Sequence, residues 1–134
     1  MLTKNTRLTG NHSSRGTSYD PWGHADNLGL QILNRPIKNA TSLWMPDHFT
    51  IVIRSGLGYV RARVAIAREI GHSALGHRGE LCKHEWEADR FAAVNLICPT
   101  EFNYATRRTH DLAAISRELK VTRRLLDAYL HWEY

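Results

Sequence analysis

Two helical stretches separated by a short break constrain this chain more than any other feature. From about Tyr59 to His77, Val60, Val64, Ala67, Gly71 and Ala74 form one apolar stripe, with Ile66 and Ile70 beside it. Arg78-Gly79-Glu80 interrupts the pattern. From about Lys83 to Ile97 a second helix carries Trp86, Phe91, Ala92, Ala93, Val94 and Leu96, and it stops before Pro99. Little polar surface marks its second half, which places it centrally in a core. So short a connection reads as a helical hairpin with facing stripes. Gly71 costs about 1 kcal/mol inside a helix relative to Ala, and a close backbone approach is the reason for it.

The flanking segments supply the remaining elements. Residues 1–18 mix Thr, Asn, Ser, Gly and Arg without apolar period and read as a flexible arm. Tyr19-Asp20-Pro21 opens a short helix, with Asp20 as N-cap, Pro21 at the first helical position and Gly29 as the stop. Leu30 to Leu33 and Thr41 to Met45 are brief apolar runs, and Phe49 to Arg54 is rich in β-branched residues after the turn signal Pro46-Asp47-His48. Two or three short strands follow, the last two forming a hairpin. Thr100, Thr109 and Thr122 are candidate N-caps for three C-terminal helices. The fold class is therefore α+β, with residues 19–134 as one domain: a small antiparallel sheet on the helical core, and a C-terminal helical layer.

Composition narrows the function classes. A chain of 134 residues supports one compact domain, and no apolar run is long enough for a transmembrane helix. The polar N-terminus lacks a signal-peptide core, so a cytoplasmic location is the expectation. Cys82 and Cys98 are too few for a disulfide framework. The formal charge of +5 permits acidic partners without requiring them. Eight histidines point to metal or proton chemistry. Their placement decides which ones matter.

The chemistry gathers on the two central helices. His72 lies three residues after Glu69 and four after Arg68, while Glu85 and Asp89 are one turn apart on the second helix. Carboxylates on single helices usually form a solvated face; here they lie among apolar residues of a hairpin. A Glu/His pair facing two carboxylates resembles the donor set of a metal hydrolase, in which one group polarises water while others hold the cation. Arg68-Glu69-Ile70-Gly71-His72 matches the helical HExxH pattern of zinc peptidases except at its first position.

With Glu85-Trp86-Glu87-Ala88-Asp89-Arg90-Phe91-Ala92-Ala93 following closely, the chain resembles the ImmA/IrrE family of metallopeptidase-like proteins over about residues 19–132. The resemblance implies a zincin-like core, with Glu69 as general base, His72 and Glu85 as zinc ligands, and Asp89 as a carboxylate orienting a ligand histidine. It implies zinc as cofactor and a protein substrate or partner, a helix-turn-helix repressor of bacterial or phage origin whose cleavage relieves gene silencing. Glu87 points to a different helix face from Glu85.

Arg68 stands where the family has its first ligand histidine. A guanidinium has no lone pair for a metal and carries a fixed positive charge, and it pairs readily with Glu69, Glu85 or Asp89, including in a bidentate fork. The expectation is impaired zinc catalysis, with a metal-free pseudo-enzyme that binds a regulator as the alternative. His77 and His84 are weak substitute ligands. His12, His24, His48, His110 and His131 read as ordinary surface residues, and the four tryptophans as packing residues.

A separate reading concerns the C-terminus. Ile115, Leu119, Val121, Leu126 and Tyr129 are spaced as in a helix-turn-helix, with Arg123-Arg124 opening the second helix. Lys120 sits where the tight turn usually has Gly, and the basic residues are scattered among acidic ones. Direct nucleic-acid binding is therefore disfavoured, and no membrane contact is expected.

Overall fold

The structure, a computed structural model, describes residues 19–77 and 82–131. The expected arm over residues 1–18, the break at Arg78-Gly79-Glu80, His12 and Trp132 lie outside the described residues. The chain is α+β. Helix α1 (Pro21–Asn27) begins as its sequence predicts: Asp20 accepts from the Trp22 N–H at 3.1 Å, and Pro21 occupies the first turn. It ends with Gly29 at φ +77°, where the Leu30 N–H returns to the Ala25 carbonyl at 2.9 Å.

Three strands follow: β1 (Gln31–Arg35), β2 (Ser42–Met45) and β3 (Thr50–Arg54). Their order is β1-β3-β2, with β2 and β3 antiparallel as the expected hairpin. The expectation of a purely antiparallel sheet is corrected, because β1 pairs with β3 in parallel, Leu33 opposite Val52. Residues 36–41 carry the chain past the neighbouring position before β2 starts. The hairpin then returns β3 into the gap, running in the direction of β1. Central placement suits β3, because Thr50-Ile51-Val52-Ile53 is buried throughout. Phe49, expected to open the strand, sits in the preceding turn at φ +48°, 66% exposed.

Helix α2 (Tyr59–Ala74) and helix α3 (Cys82–Leu96) form the expected hairpin. α2 is buried on two sides. Ala62, Ala65, Ile66 and Ile70 pack under Ile51 and Ile53 of the sheet, while Val64 and Ala67 join Ala92, Ala93 and Leu96 of α3. The Gly71 expectation holds: a Cβ there would meet the Phe91 Cβ at 3.0 Å. α2 ends at Ala74 rather than His77, because Gly76 adopts φ +70° and the His77 N–H folds back to the His72 carbonyl at 2.9 Å. Val94 is 46% exposed, so α3 is central through Ala88, Ala92, Ala93 and Leu96, with Phe91 packed beside them.

Helices α4 (Pro99–Arg108), α5 (Leu112–Leu119) and α6 (Arg123–Leu130) close the core. Of the three expected caps only Thr122 serves, accepting from the Leu125 N–H at 3.2 Å. Thr100 lies inside α4, which Pro99 opens after Cys98. Asp111 caps α5, and Thr109 instead accepts from the Asp111 N–H at 3.0 Å. Lys120 takes the left-handed turn between α5 and α6 at φ +58° without being glycine. Arg63 of α2 donates from Nη1 to the Lys120 carbonyl at 2.5 Å and the Leu119 carbonyl at 3.4 Å. His24 is not a surface residue: it is buried against Tyr19, their Nδ1 and hydroxyl 2.6 Å apart. Burial lowers the His24 pKa and raises that of Tyr19. No described helix is long and apolar enough to cross a membrane.

Candidate functional site: an arginine-bridged carboxylate cleft

A cleft of about 550 Å³ opens between the outer edge of β2 and the helical hairpin. Its walls are residues 39–44 and Pro46 on one side, and Arg68, Glu69, His72, His77, Glu85 and Arg124 on the other. Three of the four sequence-singled residues on α2 and α3 thus line it, with Arg68 between them. Asp89 lies just behind.

Arg68 holds the floor together. Its Nη2 donates to Glu85 Oε1 and its Nε to Asp89 Oδ1, so one guanidinium spans two carboxylates a helical turn apart. The expected arginine–carboxylate pairing is therefore present with Glu85 and Asp89, not with Glu69. Asp89 is buried, and its second oxygen accepts from Arg124 Nε at 2.9 Å. Flanked by two cations, Asp89 contacts arginines where the resemblance implies a ligand histidine. Arg68 is driven further toward the charged form by Asp89, Glu69 and Glu85, although its burial opposes this.

Glu69 sits apart from this lock. It is 4% exposed and accepts a hydrogen bond from the Ser42 hydroxyl at 2.6 Å. Burial raises its pKa to about 7, against the lowering effect of Ser42 and Arg68. A carboxyl group poised there exchanges protons near neutrality, the property required of a general base.

The histidines form a chain leading out of the cleft. His72 Nε2 lies 3.3 Å from Glu85 Oε2, and its Nδ1 is 2.9 Å from Nδ1 of His77. His77 Nε2 in turn meets Glu87 Oε1 at 2.8 Å, and its ring stacks on His84 with centroids 4.0 Å apart. Burial lowers the His72 pKa, favouring the neutral ring. Glu87, expected on a different helix face from Glu85, enters the site through His77. The early end of α2 brings this about, by letting His77 swing back beneath His72.

These donors do not fit a zinc ion. His72 and Glu85 approach each other, but the third position of the set is a guanidinium that already engages Glu85. Among the described residues no group of three or more His, Cys, Asp or Glu is disposed to hold a metal. His77 and His84 do not repair the set, because His77 is spent between His72 and Glu87 while His84 lies stacked behind it.

Sequence reasoning missed Ser42 and the role of Arg124. Ser42 carried a faint signal, a small polar residue at an inward position of the strand Ser-Leu-Trp-Met. Arg124 reads from the sequence only as part of the opening of the last helix, and nothing local links it to Asp89, 35 residues earlier. β2 adds one further feature. The Arg54 N–H bonds the Thr41 carbonyl at 2.8 Å, so by antiparallel alternation Ser42 and Trp44 turn their backbone groups to the free edge. That edge borders the cleft.

No protein-family model and no curated protein matches this chain. Among solved structures, it is similar to a Mycobacterium tuberculosis transcriptional regulator, with a TM-score of 0.62 and 16% identity. The alignment covers 92% of this chain and 44% of that one, so the chain spans less than half of that structure, and the likeness is one of fold.

Proposed function

We propose that this chain is a metallopeptidase-like domain of the ImmA/IrrE type that works without metal, binding a protein segment in its cleft rather than cutting it. The observation that carries this reading is the Arg68 bridge to Glu85 and Asp89. A guanidinium at that point joins the two helices by charge-assisted hydrogen bonds, and it repels a divalent cation. The partner is an extended segment that adds to the free edge of β2 through the backbone groups of Ser42 and Trp44. A helix-turn-helix repressor in the cytoplasm is the regulator this reading favours. Glu69 and Ser42 lie beneath that segment and offer it a buried acceptor and a hydroxyl.

Two measurements test the reading. Protein purified without chelator should contain far less than one zinc per chain; stoichiometric zinc with peptide hydrolysis would establish a zinc peptidase instead. Arg68→His supplies the missing ligand and should raise zinc affinity sharply, because His72 and Glu85 already face each other. No gain would mean that His72 or Glu85 has been given the wrong role.

The left-handed Lys120 favours a second reading, since α5 and α6 meet in the tight turn of a helix-turn-helix. Against it, Arg124 is engaged with Asp89 and Arg123 with Asp127 at 3.1 Å, which leaves a weak basic face on α6. A salt-dependent shift of DNA mobility would favour this alternative.

A further inference from the structure

The sheet has a second face, directed away from α1 and α2, and the apolar residues there belong to neither core. Strand parity and register lay two rows across it: Leu33–Val52–Leu43, and beside it Arg35–Arg54. Val52, in the central strand, is 6% exposed yet is absent from both hydrophobic clusters. Leu43 and Met45, on the same face of β2, each remain 38% exposed. The arginine row needs an explanation of its own. Like charges directly opposite on adjacent strands repel, and among the described residues neither Arg35 nor Arg54 meets a carboxylate. Arg35 donates only to the neighbouring Asn34 carbonyl, at 2.7 Å.

We infer that this face docks an acidic amphipathic helix of a partner protein, with its apolar stripe on the Leu33–Val52–Leu43 row and its carboxylates against Arg35 and Arg54. Three strands about 4.8 Å apart make a platform roughly 10 Å wide, which is the width of one helix. The charge selects the partner. A second copy of this face brings arginines and no carboxylate, while a nucleic acid has nothing apolar to place on the leucine row. The inference goes beyond the cleft, which Leu43 borders at the β2 edge but whose Ser42 and Glu69 lie on the other side of the sheet.

The test uses the whole chain, isotope-labelled, and a synthetic helical peptide with Leu at i, i+3, i+4 and i+7 and Glu flanking one end of that stripe. A twin peptide carries Lys in place of Glu. The acidic peptide should bind and shift the amide signals of Leu33, Leu43 and Val52. Leu43→Asp should abolish binding, and Arg35→Glu with Arg54→Glu should weaken it about tenfold or more while improving binding of the Lys twin. Leu43 and Arg35 are exposed and Arg54 is half-buried at the strand end, so circular dichroism should report an unchanged fold. Equal binding of both peptides, no binding, or signal shifts confined to Glu69 and His72 would overturn the inference. So would concentration-dependent self-association that Leu43→Asp abolishes. Failure here leaves the cleft reading intact, since that reading is decided by zinc content and by Arg68→His.

Discussion

Arg68 and Asp89 join the two central helices: the guanidinium Nε donates to Oδ1, while Oδ2 of the same carboxylate accepts from Arg124 at 2.9 Å. Asp89 is buried, so water replaces these partners poorly. Removing one member of a buried pair leaves the other charge uncompensated, at a cost of about 3–5 kcal/mol. Arg68→Ala and Asp89→Ala should each lower stability on that scale, read as a reduced urea midpoint. Arg124→Ala should cost about 1 kcal/mol or less, because its side chain is 64% exposed and screened. If Arg68→Ala cost no more than Arg124→Ala, the bridge would not be what holds the hairpin.

Glu69 supplies a prediction with a definite sign. Its pKa is raised to about 7 in the fold from an ordinary value near 4.5, mainly by burial. The native state therefore holds a proton that the unfolded chain releases, and stability falls as pH rises through this window. Glu69→Gln removes the effect and keeps an acceptor for Ser42. The stability difference, variant minus wild type, should grow by about 3 kcal/mol between pH 4 and pH 8. The lowered pKa values of His24 and His72 act in the opposite direction, so the difference between the two proteins carries the test rather than the wild-type slope. Denaturant titrations at several pH values measure it, and a constant difference would mean that Glu69 is not desolvated.

Gly71 and Phe91 set the spacing of α2 and α3. A methyl group at position 71 would press on Phe91 Cβ, Cγ and Cδ1 at 3.0–3.1 Å. Alanine favours the helix by about 1 kcal/mol over glycine, while overpacking costs about 1–3 kcal/mol. Gly71→Ala should therefore be neutral to destabilising by about 2 kcal/mol, and not stabilising. In Phe91→Ala the same substitution should become stabilising, because the obstruction is gone. A double-mutant cycle in thermal unfolding measures that reversal.

What could be read from the sequence divides along contact range. α1, its Asp20 cap and the hairpin β2–β3 are local, and their signals lie within a few residues of the structure they specify. Thr100 and Thr109 show the limit even there, because Pro99 and Asp111 compete for the same helix starts with better chemistry. The parallel pairing of β1 depends on residues 36–41 passing one strand position, a choice with no composition signature. The site followed the same division. Arg68, Glu69, His72, Glu85 and Asp89 were legible through helical spacing and family resemblance. Ser42, Arg124 and Glu87 were not, because each reaches the cleft through a distant element: a strand edge, the last helix, or the returned ring of His77.

The turn at Lys120 tests how far tertiary contacts override backbone preference. A non-glycine residue at φ +58° costs about 1–2 kcal/mol, and the Arg63 guanidinium holds the turn by donating to the Leu119 and Lys120 carbonyls. Arg63 is 6% exposed, and burial lowers its pKa, so those carbonyls, together with the charges of Glu101 and Asp20, keep the guanidinium tolerable. Lys120→Gly relieves the backbone strain without touching the carbonyls and should stabilise the protein by about 1 kcal/mol. Arg63→Met removes the clamp while keeping the packing volume, and it should cost about 1–3 kcal/mol through the unpaired carbonyls. Because the clamp opposes the strain, Lys120→Gly should recover part of the loss when combined with Arg63→Met. Calorimetric unfolding of the two single variants and the double variant decides the matter. If Lys120→Gly destabilised the wild type, the left-handed turn would not be a source of strain.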